Sequence, residues 1–365
     1  MKKSHQHFIP QTYLKKFAHT VDNKNYFVAV YDKISGKYNP KMSVGNLCVE
    51  TDLYTLDHLN GDEKYAIENF FSDNIENRYP KVFKLLVEDK KPIISSEEKT
   101  FILYTTLSMY FRTPKVLNQF VDFAGRLVEN VKNGSSAKSI DFLGYKISLD
   151  QKSFTDIKKD IRATNRIDFL QTQLALLDAL VEFKFNDGLV ITELIGEQEF
   201  ITSDNPVEIR NMGEIGFNLF SDRNSIYIPL DPKHALFIAP KDKGSITNEV
   251  FYQKDNFVQH ITLNHVLFKN AERWIIGSSK GVQQFLKDEE EYTKPVEDNH
   301  PMLVKFRMKL KLMEDVLQQA EKGVSNENLG LIESLHTLKK SMDEPGSEDL
   351  QDLYNKFKET GLKLD

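Results

Sequence analysis

His5 and His7 stand two positions apart at the start of the chain, so in an extended segment both imidazoles face the same side. Such a pair can bind a divalent metal through neutral nitrogens or set a general base beside a second donor. Far along the chain, Thr202-Ser203-Asp204-Asn205-Pro206-Val207 follows a strand-like Glu199-Phe200-Ile201. Its turn-forming residues bring a carboxylate, an amide and a hydroxyl out together at a strand end. Asp204 is a candidate metal ligand or histidine-orienting group, and Asn205 a candidate donor to a developing oxyanion or phosphate; an Asx-turn that satisfies its own backbone uses the same residues.

Glu68 and Glu76 lie eight apart on one edge of an amphipathic helical pattern, where they are candidate acid/base groups or ligands. Arg112, in Phe111-Arg112-Thr113-Pro114, ends a strongly apolar helix; there a guanidinium answers the helix C-terminus or contacts a phosphate. Glu50 is a further carboxylate available to a metal that His7 and Asp204 would share. Cys48 has no partner in the sequence and reads as a small buried residue. His260 and His265, five apart, miss the helical spacing that would pair them. No phosphate-cradling glycine loop and no Gly-x-Ser-x-Gly elbow occurs in the chain.

Several elements must position these groups. Pro10 opens a short helix that puts Tyr13, Leu14 and Phe17 on one face, and a β-hairpin follows from Tyr26 to Val44 through the Ser35-Gly36 turn. The 3.6-residue period of Ile67, Phe70, Phe71, Ile75, Tyr79, Val82, Phe83 and Leu86 predicts a helix bent near Pro80. Ser95 with Glu98 signals the start of another that runs to Phe111, where Pro114 ends or kinks it. A third long helix is predicted over about 154–183. Beyond it, short β-rich runs separated by Gly, Asn, Asp and Pro predict a mainly antiparallel sheet over 184–241, then a helix over about 253–271, a strand at 274–277 and a short helix from Gly281 to Glu290.

The expected class is therefore α+β. The expected division is one domain over 1–288, helical at about 63–183 and β-rich at about 184–280, with a charged helical extension over 289–365. Residues 302–360 of that extension are a candidate surface for self-association or a protein partner. Hydrophobic residues make up 40% and charged ones 28%, which fits a packed globular chain. A net charge of −6 gives no global positive field, so nucleic acid would need a local patch. The single cysteine rules out an intramolecular disulfide. With no secretory signal pattern and no membrane-length apolar run, the sequence points to a cytoplasmic protein without a membrane span.

On Gln6-His7-Phe8-Ile9-Pro10-Gln11-Thr12-Tyr13-Leu14, Ser43-Val44-Gly45-Asn46-Leu47-Cys48, Phe111-Arg112-Thr113-Pro114, Phe200-Ile201-Thr202-Ser203-Asp204-Asn205-Pro206-Val207 and Tyr227-Ile228-Pro229-Leu230-Asp231-Pro232, the chain resembles a bacterial family catalogued as domain of unknown function 4238. The resemblance covers about 6–279. It implies that His7, Pro10, Tyr13, Asp204, Asn205 and Pro206 fall on motif positions and that His5 does not. It also implies company with mobile elements and phage-defence genes.

Two functions are then expected. The first is a metal-dependent hydrolase, specifically a nuclease acting in defence or as a toxin. In it the site is His7 with Asp204 and a carboxylate from Glu50, Glu68 or Glu76: His7, Asp204 and Glu50 are the candidate ligands of a divalent ion such as Mg²⁺ or Mn²⁺, His7, Asp204, Asn205, Glu68 and Glu76 the catalytic candidates, and Asn205 and Arg112 position the phosphate of the substrate. The opening also resembles that of HNH-type nucleases, without their second histidine on a following helix. The alternative is a non-enzymatic sensor or interaction module in which the same groups form a structural hydrogen-bond network.

Overall fold

The structure, a computed structural model, describes residues 5–55, 60–134, 138–142, 145–149, 152–164, 166–211, 218–240, 248–255 and 258–293. The chain divides into two compact units, Met1–Glu289 and Glu290–Asp365. The segment 302–360, a candidate partner surface, lies outside the described residues.

The first unit is α+β. His5–His7 forms a short antiparallel ladder with Val49–Thr51. Pro10 then opens the Gln11–Leu14 helix, continued as a 3-10 turn over Lys15–Phe17. The aromatic and β-branched run becomes the strand Asn25–Asp32, which pairs with Lys37–Ser43 across the predicted hairpin. The sheet grows outward from that strand: Thr20–Asp22 adds on one side, Trp274–Gly277 on the other, and Thr202–Ser203 beyond it, all antiparallel. A second sheet runs in the order Glu208–Asn211, Asn224–Pro229, His234–Ala239, Gly188–Leu194 and Val250–Asp255. It is antiparallel except for the last pairing.

The helices show where local rules met packing. Ser95 and Glu98 form the reciprocal cap that starts Ser96–Phe111: the Glu98 N–H donates to Ser95 Oγ at 3.1 Å, and the Ser95 N–H to Glu98 Oε2 at 2.8 Å. The pattern read as one helix bent at Pro80 is instead broken at Ile75. Ala66–Asn74 ends there, Glu76–Arg78 is a 3-10 turn, and Pro80 sits in the first turn of Tyr79–Phe83, where its missing N–H costs nothing. Pro114 likewise starts a helix, Pro114–Gly134, as well as ending one. The long pattern over 154–183 resolves into Phe154–Thr164 and Arg166–Lys184. Gln253 belongs to a strand, and its helix begins at Val258. The hairpin Ser139–Phe142 with Tyr145–Ser148 carries too short a pattern to be read from sequence.

Four side chains sew these layers together. Tyr13 is fully buried, its hydroxyl 2.6 Å from Thr202 Oγ1 in the first sheet and donating to the Pro229 carbonyl of the second at 2.9 Å. Its ring meets Tyr79 edge-on at 5.2 Å, and the Tyr79 hydroxyl donates to the Leu230 carbonyl at 3.0 Å. Two lysines fix the helical layer to the second sheet: buried Lys99 donates to the Asp187 carbonyl at 2.8 Å, and buried Lys184 to Asp187 Oδ2 and the Asn224 carbonyl, each at 2.8 Å. No helix among the described residues is long and apolar enough to cross a membrane.

Tyr13→Phe removes a buried hydroxyl that serves both sheets and leaves the Pro229 carbonyl short of a donor. The variant should lose about 2 kcal/mol of unfolding free energy in urea titration, whereas Tyr26→Phe, in the first sheet and only half-buried, should stay within about 0.5 kcal/mol of wild type.

Candidate active site

His7 ends the His5–His7 strand and is 5% exposed. Its Nδ1 lies 3.4 Å from the Gln11 amide nitrogen, one helical turn on, and its Nε2 is buried with no hydrogen-bond partner. Burial holds the imidazole below its ordinary pKa of 6.5, against the opposing pull of Glu76 and the Gly45 carbonyl, so the ring is neutral at neutral pH.

Arg112 lies beneath this strand with 1% of its surface exposed. Its Nη2 donates to the His7 carbonyl at 2.7 Å and to Glu76 Oε1 at 2.7 Å, while Nε and Nη1 are buried without partners. The guanidinium carbon stands 4.4 Å from the centre of the Phe71 ring and 5.7 Å from that of Tyr54, close enough for the ring faces to offset part of the desolvation. Tyr54 closes the turn by donating from its hydroxyl to the Arg112 carbonyl at 2.8 Å. Burial pushes that phenol well above its ordinary value, with Arg112 opposing.

Glu68 joins from the first turn of Ala66–Asn74. Burial, with a smaller push from Glu76 and opposition from Arg112, raises its carboxyl from 4.5 to about 7, and its Oε2 has no partner. Glu76 is brought within reach by the break at Ile75. Its backbone carbonyl accepts from Thr12 Oγ1 at 2.8 Å, and its carboxylate, a fifth exposed, opens to the surface. His7, Glu68, Glu76 and Arg112, scattered over more than a hundred residues, thus share one place and one electrostatic field.

Asp204 and Glu50, grouped with His7 on sequence grounds, are engaged differently. Asp204 Oδ1 accepts the Glu272 N–H at 3.0 Å, and Oδ2 accepts those of Arg273 at 2.7 Å and Trp274 at 3.0 Å. This carboxylate organises the entry to the Trp274–Gly277 strand. Burial raises its pKa, opposed by the three N–H groups, and no hydrogen bond or ion pair joins it to His7 among the described residues. Glu50 is the cross-strand partner of Gln6, so it shares Gln6's side of the ladder and not that of His7. Asn205 packs against Asn270, to whose carbonyl its amide donates at 3.4 Å. Among the described residues no three His, Cys, Asp or Glu side chains are grouped to hold a metal, so the set His7, Asp204 and Glu50 does not form. His265 pairs with Glu289 at 2.9 Å. Tyr54 and Phe71 complete the site and were missed; both are aromatic positions that read as core from sequence.

A protein-family model described as "Protein of unknown function (DUF4238)" matches residues 5–281. The chain belongs to this family. Searches of curated proteins and of solved structures found no match. The matched span takes in every member of the His7 cluster and stops short of the 302–360 segment.

Two tests follow from the geometry. Folded Glu68 keeps its proton to about pH 7, whereas the unfolded chain releases it near 4.5. The folded state therefore binds the extra proton between those values, and this contribution to stability is lost as pH rises through that window. Denaturant midpoints of wild type and Glu68→Gln should diverge in the variant's favour from pH 4.5 to 7; a constant gap would mean that Glu68 titrates normally. Asp204→Ala strands three backbone donors and should destabilise by about 3 kcal/mol, read from urea unfolding at pH 7.

Proposed function

We propose that the chain is a hydrolase of phosphodiesters, a nuclease whose reaction runs on the His7 cluster. The observation that carries this reading is that buried polar atoms of three side chains, His7 Nε2, Glu68 Oε2, and Arg112 Nε and Nη1, lack partners at one site. Buried polar groups are nearly always satisfied within a fold, and the exceptions call for an explanation such as a catalytic role or a bound water or ion. A neutral imidazole and a carboxyl that titrates near 7, both in the field of Arg112 and Glu76, are a matched base and acid at neutral pH. In this reading His7 takes the proton of the attacking water and Glu68 gives one to the leaving oxygen. The fixed charge of Arg112 favours a transition state that gains negative charge, as at phosphorus. Glu76 holds Arg112 in register, and its partly exposed carboxylate is the group open to a Mg²⁺ or Mn²⁺ ion. Use in phage defence or as a toxin would suit a nuclease of this family.

A second reading is favoured by one specific contact. Arg112 Nη2 bridges the His7 carbonyl and Glu76, which is how a purely structural network would fasten an N-terminal strand to a helix in a non-enzymatic sensor or interaction module.

Incubation of the purified full chain with plasmid, single-stranded DNA and total RNA separates the two, with Mg²⁺, with Mn²⁺ and with chelator. Wild type should cleave at least one substrate, and His7→Ala and Glu68→Gln should each be slower by about 100-fold or more. Cleavage by none of the proteins, or equal cleavage by all three, rejects the nuclease and leaves the structural network.

A further inference from the structure

The 112–115 turn has two faces. Arg112 serves the His7 cluster, while Thr113 and Lys115 line a separate cavity of about 230 Å³. Its other polar lining is Asn205, Glu208, Asn270, Tyr110 and Gln119, with Met109, Val116, Val207 and Ile209 as apolar lining. At this volume it falls below the roughly 300 Å³ at which drug-sized pockets begin, a size nearer to a single ring system than to a longer ligand.

The polar groups define what the cavity accepts. Lys115 Nζ is committed to Asn270, donating to its carbonyl at 2.8 Å and to its side-chain oxygen. Asn270 Nδ2 reaches the Asn205 carbonyl at 3.5 Å, and Asn205 Nδ2 makes only long contacts, 3.4 Å each, to Asp204 Oδ1 and the Asn270 carbonyl. Glu208 is half-buried and accepts no hydrogen bond among the described residues; its nearest cation is Arg210 Nε at 4.0 Å. Burial raises its carboxyl against Arg210 and Lys115, and burial together with Glu208 pushes the Tyr110 phenol up to about 12, so that the hydroxyl stays a donor. An under-used carboxylate in the same cavity as a spent lysine repels an anion such as phosphate and calls for N–H donors. Amides, a phenol and apolar walls call for a flat ring with acceptors beside those donors.

We propose that this cavity is a binding site for a nucleobase, with Glu208 accepting from its N–H edge and Asn205 and Tyr110 meeting its acceptors. Guanine is the natural base with two adjacent N–H donors on its Watson–Crick edge, the pattern a carboxylate takes with both oxygens, so the site prefers guanine. The site does not rest on phosphodiester cleavage, since a free nucleoside contains no phosphodiester and its binding is read without turnover.

The test is calorimetric titration of the full chain with guanosine, adenosine, cytidine and uridine, and with inorganic phosphate. Guanosine should bind at least tenfold more tightly than the other three nucleosides, and phosphate should not compete with it. Glu208→Gln keeps the shape and should weaken guanosine at least tenfold; Val116→Trp, which fills the cavity from the helix side, should abolish binding. Absence of binding by every nucleoside, equal binding of all four, or unchanged guanosine affinity in both variants overturns the proposal.

Discussion

Arg112 is the charge around which the N-terminal half of the fold is arranged. A guanidinium removed from water is tolerated only where anions, carbonyls and aromatic faces replace its hydration. The chain brings these from four places: the His7 carbonyl, the Glu76 carboxylate, the Phe71 ring and the Tyr54 ring. Each comes from a different element, so the strand at His5–His7, the break at Ile75 and the end of Ser96–Phe111 are mutually dependent. The compensation is incomplete, with Nε and Nη1 unsatisfied, and that shortfall separates this cluster from an ordinary buried ion pair. Lys184 offers the contrast: equally buried, its amine has a carboxylate and a carbonyl, each at 2.8 Å.

The motif at 202–207 divides its labour. Thr202 shares a hydrogen bond with the Tyr13 hydroxyl, Asp204 gathers three backbone N–H groups, and Asn205 faces the cavity beside Lys115. A carboxylate that accepts three amide donors is a scaffold device. Here it fixes the entry to the Trp274–Gly277 strand beside Thr202–Ser203. The histidine and the aspartate of the two motifs serve one fold without sharing one site.

Much of the secondary structure was legible because it rests on local chemistry. The Ser95 and Glu98 cap, the Ser35-Gly36 hairpin, the strand at 274–277 and the alternation beyond Phe183 are each fixed by a few neighbouring residues. What was not legible turned on competition between local and distant terms. Pro80, expected as a bend within one helix, stands in the first turn of Tyr79–Phe83, and Pro114, expected to end or kink Ser96–Phe111, follows its end and also opens the next helix, because proline serves a first turn as readily as it ends a last one. The break itself fell at Ile75, where no residue announces it; it lets Ile75 stay buried while Glu76 turns to Arg112.

By itself the sequence determined the α+β class, the hairpin, the capped inner helix and the residue types a site would need, His7, Glu68, Glu76 and Arg112 among them. These follow from periodicity, turn chemistry and side-chain acidity, which are properties of short segments. Only the tertiary structure decided that Glu68, Glu76 and Arg112 join His7 while Asp204 and Glu50 do not. Strand register put Glu50 on the Gln6 side of its ladder, and three backbone N–H groups claimed Asp204. Both outcomes depend on which distant backbone groups need a partner once the chain has packed, and no local pattern records that need.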